Sequence, residues 1–151
     1  MLFSAHGLPK KVIEGGDPYQ IQVEESCRAI VAALGREGLD WLTCYQSRVG
    51  PLEWIGPATD KEIERAGHER KSLIVVPIAF VSEHSETLVE LDIEYRELAE
   101  KAGVPRYIRV PALGVEAPFI AALARLVREA QQHDGVLCPE EAAGRACGEA
   151  A

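Results

Sequence analysis

The chain has 151 residues, 47% hydrophobic and 26% charged, with a formal net charge of −8 and a pI near 5.0. That length and apolar content suit one globular domain with a real core, and the acidic balance argues against a nucleic-acid or anionic-membrane surface as the main partner. No apolar run approaches the ~20 residues of a spanning helix, and residues 1–15 lack the charged start and apolar stretch of a signal peptide; the expectation is a cytoplasmic protein with no integral membrane segment.

The first element is at the very start. Leu2-Phe3-Ser4-Ala5 reads as a buried strand that delivers His6 into Gly7-Leu8-Pro9. Asp17-Pro18 opens a helix to Leu34, with an N-cap oxygen followed by proline at the first helical position, and Gly35 stops it. Asp40–Gln46 is the second strand. Thr59 caps a short helix through Ala66, closed by Gly67. Ser72–Ala79 is the third strand and Ser82–Ala102 a long helix ended by Gly103, with Leu88, Leu91, Tyr95 and Leu98 as its apolar stripe. Tyr107–Val110 is a fourth strand and Phe119–Ala130 an amphipathic helix. Residues 132–151 lose periodicity and are expected to form a flexible tail after a domain over 1–131. Alternating strands and helices imply parallel strands joined by right-handed crossovers. The expected fold is therefore a single Rossmann-like, three-layer α/β domain with a four-stranded parallel sheet and helices on both faces.

Cys27, Cys44, Cys138 and Cys147 include no pair at CxxC spacing, which points to reduced thiols, the first two as small core residues. No GxGxxG or GxxxxGK[ST] loop exists, so a nucleotide cofactor has no support in the sequence.

Ligands of open parallel sheets bind beyond the carboxyl ends of the strands, and three chemically loaded segments lie there. In Ser82–Tyr95 the acids Glu86, Glu90 and Glu94 recur every four residues and stack on one helix face, where like charges repel. The row reads either as a solvated acidic face or as a path of oxygen ligands for a divalent cation, with His84 as a nitrogen ligand at its top. In an ideal helix His84 and Glu86 lie about 200° apart. They converge only if His84 sits in the preceding turn or the helix carries a π-bulge. His6 reads as a structural strand-end residue or as a base or metal ligand on the same sheet edge. Residues 45–57 form a long loop, either simply packed through Trp54 or offering an aromatic wall to a flat apolar ligand, with Arg48 for a ligand carboxylate.

Taken together, LFSAHGLP (2–9), GDPY (16–19), YQSRVGPLEWIGPATD (45–60) and VVPIAFVSEHSETLVELDIEY (75–95) resemble the carboxyl-terminal half of the ferrochelatase family, the protoporphyrin ferro-lyases that end haem biosynthesis. The resemblance implies insertion of Fe²⁺ into protoporphyrin IX, with iron as substrate metal. It implies His6 over the porphyrin centre as proton acceptor or metal ligand, Glu86 facing it, and His84 as the motif histidine. Glu90 and Glu94 match an acidic row on a π-distorted helix, a proposed metal or proton path, and Ser47 and Trp54 match loop residues near the porphyrin. Family members usually carry a similar α/β domain before this one, so a missing amino-terminal domain or a second chain is an expected partner, and Met1 is expected to mark a cut or an internal start. Some members hold a [2Fe–2S] cluster through a tail CxxCxxxxC; here Glu141 stands where the second cysteine would fall and Cys147 is one place late, so no cluster is expected. Two other readings stay open: a short homodimeric chelatase for another tetrapyrrole, of the sirohydrochlorin type, and a non-catalytic porphyrin- or haem-binding fragment.

Overall fold

Each of the four apolar runs forms a strand: β1 (Leu2–His6), β2 (Leu42–Gln46), β3 (Leu73–Pro77) and β4 (Tyr107–Arg109). In the computed structural model, which describes residues 1–132, they pair as one all-parallel sheet in the order β2-β1-β3-β4. Between them run α1 (Lys10–Glu14), α2 (Tyr19–Leu34), α3 (Thr59–His68), a π-helix (Glu86–Glu94) that continues into α4 (Tyr95–Ala102), and finally α5 (Ala117–Ala130). The expected tail, apart from Gln132, lies outside the described residues, as do Cys138 and Cys147. The chain divides into two compact units, Met1–Ala112 and the segment from Leu113 on. The sheet belongs to the first; α5, with Pro118 in its first turn, belongs to the second.

The strands read as continuous apolar runs because the sheet is covered on both faces. One face packs Phe3, Ala5 and Tyr45 against Val23 and Cys27 of α2 and Ile55. The other packs Leu2, Cys44, Leu73 and Val75 against Ile63 and Ala66 of α3, Leu91 of the π-helix and Ala99 of α4. Burial pushes the Cys44 thiol up to about 12 and raises that of Cys27 as well, so both remain protonated core groups. Among the described residues no helix is long and apolar enough to cross a membrane.

Element ends shift, as at β2, β3 and β4 and at the long helix, whose π-wound part is Glu86–Glu94 where a start at Ser82 was expected, and four further details differ from the sequence reading, each for a local reason. The Asp17 carboxylate accepts the Tyr19 N–H at 2.9 Å, but Pro18 occupies the cap position. Thr59 is the first residue of α3 rather than its cap, because its buried hydroxyl pairs with Ser4 Oγ at 2.8 Å. Helix α3 runs through Gly67 to His68. Gly67 serves packing instead: a β-carbon there would lie 2.3 Å from the Ala102 carbonyl oxygen of α4. Finally, the wider π turn brings Thr87 and Leu91 inward and leaves Leu88 47% exposed, so Leu88 drops out of the expected apolar stripe. Gly35 and Gly103 do end α2 and α4, in left-handed conformation at φ 57° and 85°.

Gly67→Ala drives a methyl group into the Ala102 main chain where α3 meets α4, and overpacking of that kind costs about 1–3 kcal/mol. Urea denaturation of the variant is expected to show a loss in that range, and an unchanged midpoint would contradict the close helix contact.

Candidate functional site

Parallel register brings His6 of β1 beside Gln46 of β2 at the carboxyl edge of the sheet. Strand β1 lies between β2 and β3, with the crossover after β1 and the crossover before β3 on opposite faces, so His6 stands at the topological switch point where open α/β sheets bind ligands. His6 Nε2 lies 3.3 Å from Glu86 Oε1, and both side chains are a little over one-third exposed, within reach of a ligand. His84 Nδ1 is 3.8 Å from the other oxygen of Glu86. His84 sits in the segment before the helix, and the helix itself is π-wound, so both conditions for convergence with Glu86 are met.

Hydrogen bonding assigns the two imidazoles opposite roles. His6 Nδ1 donates to the Gly7 carbonyl at 2.6 Å, which turns an unprotonated Nε2 toward Glu86. The Glu86 backbone N–H donates to His84 Nδ1 at 3.2 Å, so the neutral His84 ring carries its proton on Nε2. His6 Nε2 is thus a partly exposed proton acceptor beside the Glu86 carboxylate. The Tyr19 hydroxyl braces the strand end by donating to the His6 carbonyl at 3.0 Å, and the Phe80 ring packs against His84 at 5.0 Å.

Glu90 lies one step further along the π-helix and meets a different surrounding. Its Oε1 accepts the Ser47 N–H at 2.7 Å and the Tyr95 hydroxyl at 2.9 Å. Its Oε2 accepts the Gln46 amide at 2.9 Å and the Ser47 hydroxyl. Burial and the adjacent Glu90 charge push the Tyr95 phenol up, so it keeps its proton and donates. Fully buried Gln46 also donates to the Glu86 carbonyl at 2.7 Å and accepts from Ser4 Oγ at 2.8 Å. Glu94 is exposed at the end of the π-helix, apart from this network. Among the described residues no group of three or more His, Cys, Asp or Glu is gathered to hold a metal ion.

The long loop is stitched to the segment after His6. Ile55 N–H donates to the Leu8 carbonyl at 3.0 Å, Lys10 N–H to the Glu53 carbonyl at 2.8 Å, and Lys10 pairs with the Glu53 side chain. Trp54 is half-buried, and its indole N–H is buried with no hydrogen-bond partner among the described residues. Gly7 lies beneath it: a β-carbon there would meet the Arg48 stem at 3.0 Å and the Trp54 ring at 3.3 Å. Arg48 itself is exposed. The structure therefore gathers His6, Glu86, His84, Ser47, Glu90 and the Trp54 loop at one edge.

Sequence reasoning missed Gln46, Tyr19, Tyr95 and a clamp behind the site. Arg109, at the end of β4, pairs with Asp92 of the π-helix through two bonds and with Glu83 at 2.6 Å, and Glu83 also accepts the Ala112 N–H at 2.9 Å. The available signal for Gln46 was an amide at the end of a strand with both faces covered, where a buried polar group needs partners.

A parallel α/β sheet with a histidine–carboxylate pair and a π-helix at its carboxyl edge defines a chelatase-like domain. The family model described as Ferrochelatase matches residues 1–131. The chain is 57% identical over 153 residues to the ferrochelatase of Phenylobacterium zucineum, covering 97% of this chain and 44% of that protein. It is 61% identical over 129 residues to that of Caulobacter vibrioides (85% and 37%), and 58% identical over 127 residues to that of Pelagibacter ubique (84% and 37%). The chain belongs to the ferrochelatase family, and it spans less than half the length of these relatives.

The Arg109 clamp has a pH signature. Burial alone would raise the Glu83 carboxyl, but hydrogen bonds from Thr87, Arg109 and the Ala112 N–H outweigh it and bring it to about 2 from an ordinary 4.5. A depressed carboxyl stabilises fully above its unfolded value and loses that contribution as pH falls through its folded one. Thermal midpoints are expected to fall between pH 4.5 and about 2, less steeply in Glu83→Gln than in the native chain. Equal slopes would contradict the clamp.

Proposed function

We propose that this chain is the carboxyl-terminal, metal-handling part of a ferrochelatase, a lyase that inserts Fe²⁺ into protoporphyrin IX to give protohaem in the last step of haem biosynthesis. The observation that carries the reading is the His6–Glu86 pair, 3.3 Å apart at the switch point of the sheet and flanked by the Trp54 loop. Metallation requires a base for the inner pyrrole protons, a cation held weakly enough to be given up, and walls that grip a flat ring. In this reading His6 Nε2 accepts a pyrrole proton, while Glu86 stabilises the resulting imidazolium and takes part in holding the incoming iron, the substrate metal. His84 fixes the start of the π-helix by accepting the Glu86 N–H at Nδ1, and its Nε2 serves as a ligand only on giving up the proton it carries. Glu94, at the exposed end of the helix, draws the cation in.

Trp54 forms the wall against the macrocycle, Ser47 sits at the base of that wall, and Arg48 reaches a carboxylate of the porphyrin. The tetrapyrrole supplies the final ligands, so no organic cofactor is needed, and no [2Fe–2S] cluster belongs to the proposal. The remaining length of the relatives, or a second chain, closes the cleft from the other side. Buried free thiols at Cys27 and Cys44 support a cytoplasmic location.

The test is a chimera in which this chain replaces the matching segment of the Caulobacter ferrochelatase, assayed for Fe²⁺ and Zn²⁺ insertion. The chimera is expected to be active, and His6→Ala and Glu86→Ala each to lower kcat by about 100-fold or more. An inactive chimera, or full activity in either variant, would count against the reading.

A further inference from the structure

Glu90 falls in the acidic row that the sequence offers as a cation path, yet its surroundings differ in kind from those of Glu86. An ionised carboxylate has about four acceptor sites. At Glu90 the Ser47 N–H, the Tyr95 hydroxyl, the Gln46 amide and the Ser47 hydroxyl supply four donors, two to each oxygen. Glu86 instead turns both oxygens toward imidazole nitrogens at 3.3 and 3.8 Å and is more than one-third exposed. We propose that Glu90 is a positioning residue, a strut that ties the π-helix to the end of β2 and to the start of the Trp54 loop, and that it neither binds the cation nor carries protons.

Three observations support the strut. A cation at Glu90 would have to displace four donors already seated on its two oxygens, one of them the Ser47 N–H, which the backbone holds in place. Ser47 holds a left-handed conformation at φ 58°, a strained setting for a residue with a side chain, and both of its donors go to Glu90. Gln46 then links the two ends of the site, with its amide shared between the Glu90 carboxylate and the Glu86 carbonyl. Removing the strut should therefore loosen the loop at Arg48, whose stem covers Gly7 beside Trp54. It should also blur the placement of Glu86.

The inference rests on the proposed site only in taking the loop and the His6–Glu86 pair as the working groups, and its test has a readout that needs no turnover. The chain has two tryptophans, so Trp41→Phe leaves Trp54 as sole reporter, and Trp41 packs edge-on to Phe3 where phenylalanine keeps the aromatic contact. In this background, without metal, acrylamide quenching of Trp54 and far-UV circular dichroism are measured for Glu90→Gln, Ser47→Ala and the double variant. Zn²⁺ affinity is then measured on the same proteins. A shared hydrogen-bonded unit gives non-additive effects. Glu90→Gln and Ser47→Ala are each expected to raise quenching about twofold at unchanged helix content, the double variant no further, and both to weaken Zn²⁺ binding by the same factor. The proposal is overturned if Ser47→Ala, which leaves the carboxylate in place, binds Zn²⁺ as the parent does while Glu90→Gln loses it, or if Trp54 quenching is unchanged in both. If the parent itself binds no Zn²⁺, the metal reading fails and the quenching result alone decides the strut.

Discussion

One buried amide holds the site together. Gln46 ends a strand covered on both faces, so its side chain must find partners inside the protein. It finds Ser4 Oγ on the neighbouring strand, and the Glu86 carbonyl and Glu90 carboxylate on the helix above. A side-chain donor on a helical carbonyl disturbs the regular ladder of an α-helix, and here the nine residues that begin at Glu86 are wound as a π-helix. The winding sets which acids point at the sheet edge and which at solvent. His84, in the segment before the helix, then meets Glu86 as the third group of the His6–Glu86 pair.

The same constraint sorts three carboxylates that are equivalent in sequence. Glu86 faces two imidazoles, Glu90 is surrounded by donors, and Glu94 stands in solvent. Repulsion along the row is relieved at Glu90 by four donors and at Glu94 by solvent. Environment assigns the roles, as spacing alone cannot. Behind them, Arg109 ties Glu83 and Asp92 together, so the segment that carries His84 and Glu86 is anchored to the last strand as well as to the first two.

Much of the sheet was legible because parallel strands buried on both faces leave continuous apolar runs, and β1 matches its expected bounds, Leu2–His6. The stops at Gly35 and Gly103 were legible because each needs a left-handed backbone. The misreadings have a common cause. Thr59 and Gly67 both carry local signals, a cap and a stop, that tertiary packing uses for something else: a hydroxyl partner for Ser4 and a close helix contact with Ala102. The short α1, without a buried residue, had no periodicity to show. His6, His84, Glu86 and the Trp54 loop were legible as a set through a family resemblance. The partners that orient them were not: Gln46 acts across 40 and 44 residues, which leaves no spacing to read, Tyr19 acts on a main-chain carbonyl, and Tyr95 carries the spacing of an apolar stripe.

The central claim is that the π-wound segment presents Glu86 between two imidazoles of opposite tautomer. The most direct measurement is nitrogen NMR of the full chain labelled in its histidine rings, at a pH where they are neutral. The account predicts that His6 carries its proton on Nδ1 and His84 on Nε2, and that Glu86→Gln moves the His6 Nε2 signal. A proton on Nδ1 of His84, or a His6 signal indifferent to Glu86→Gln, would contradict it.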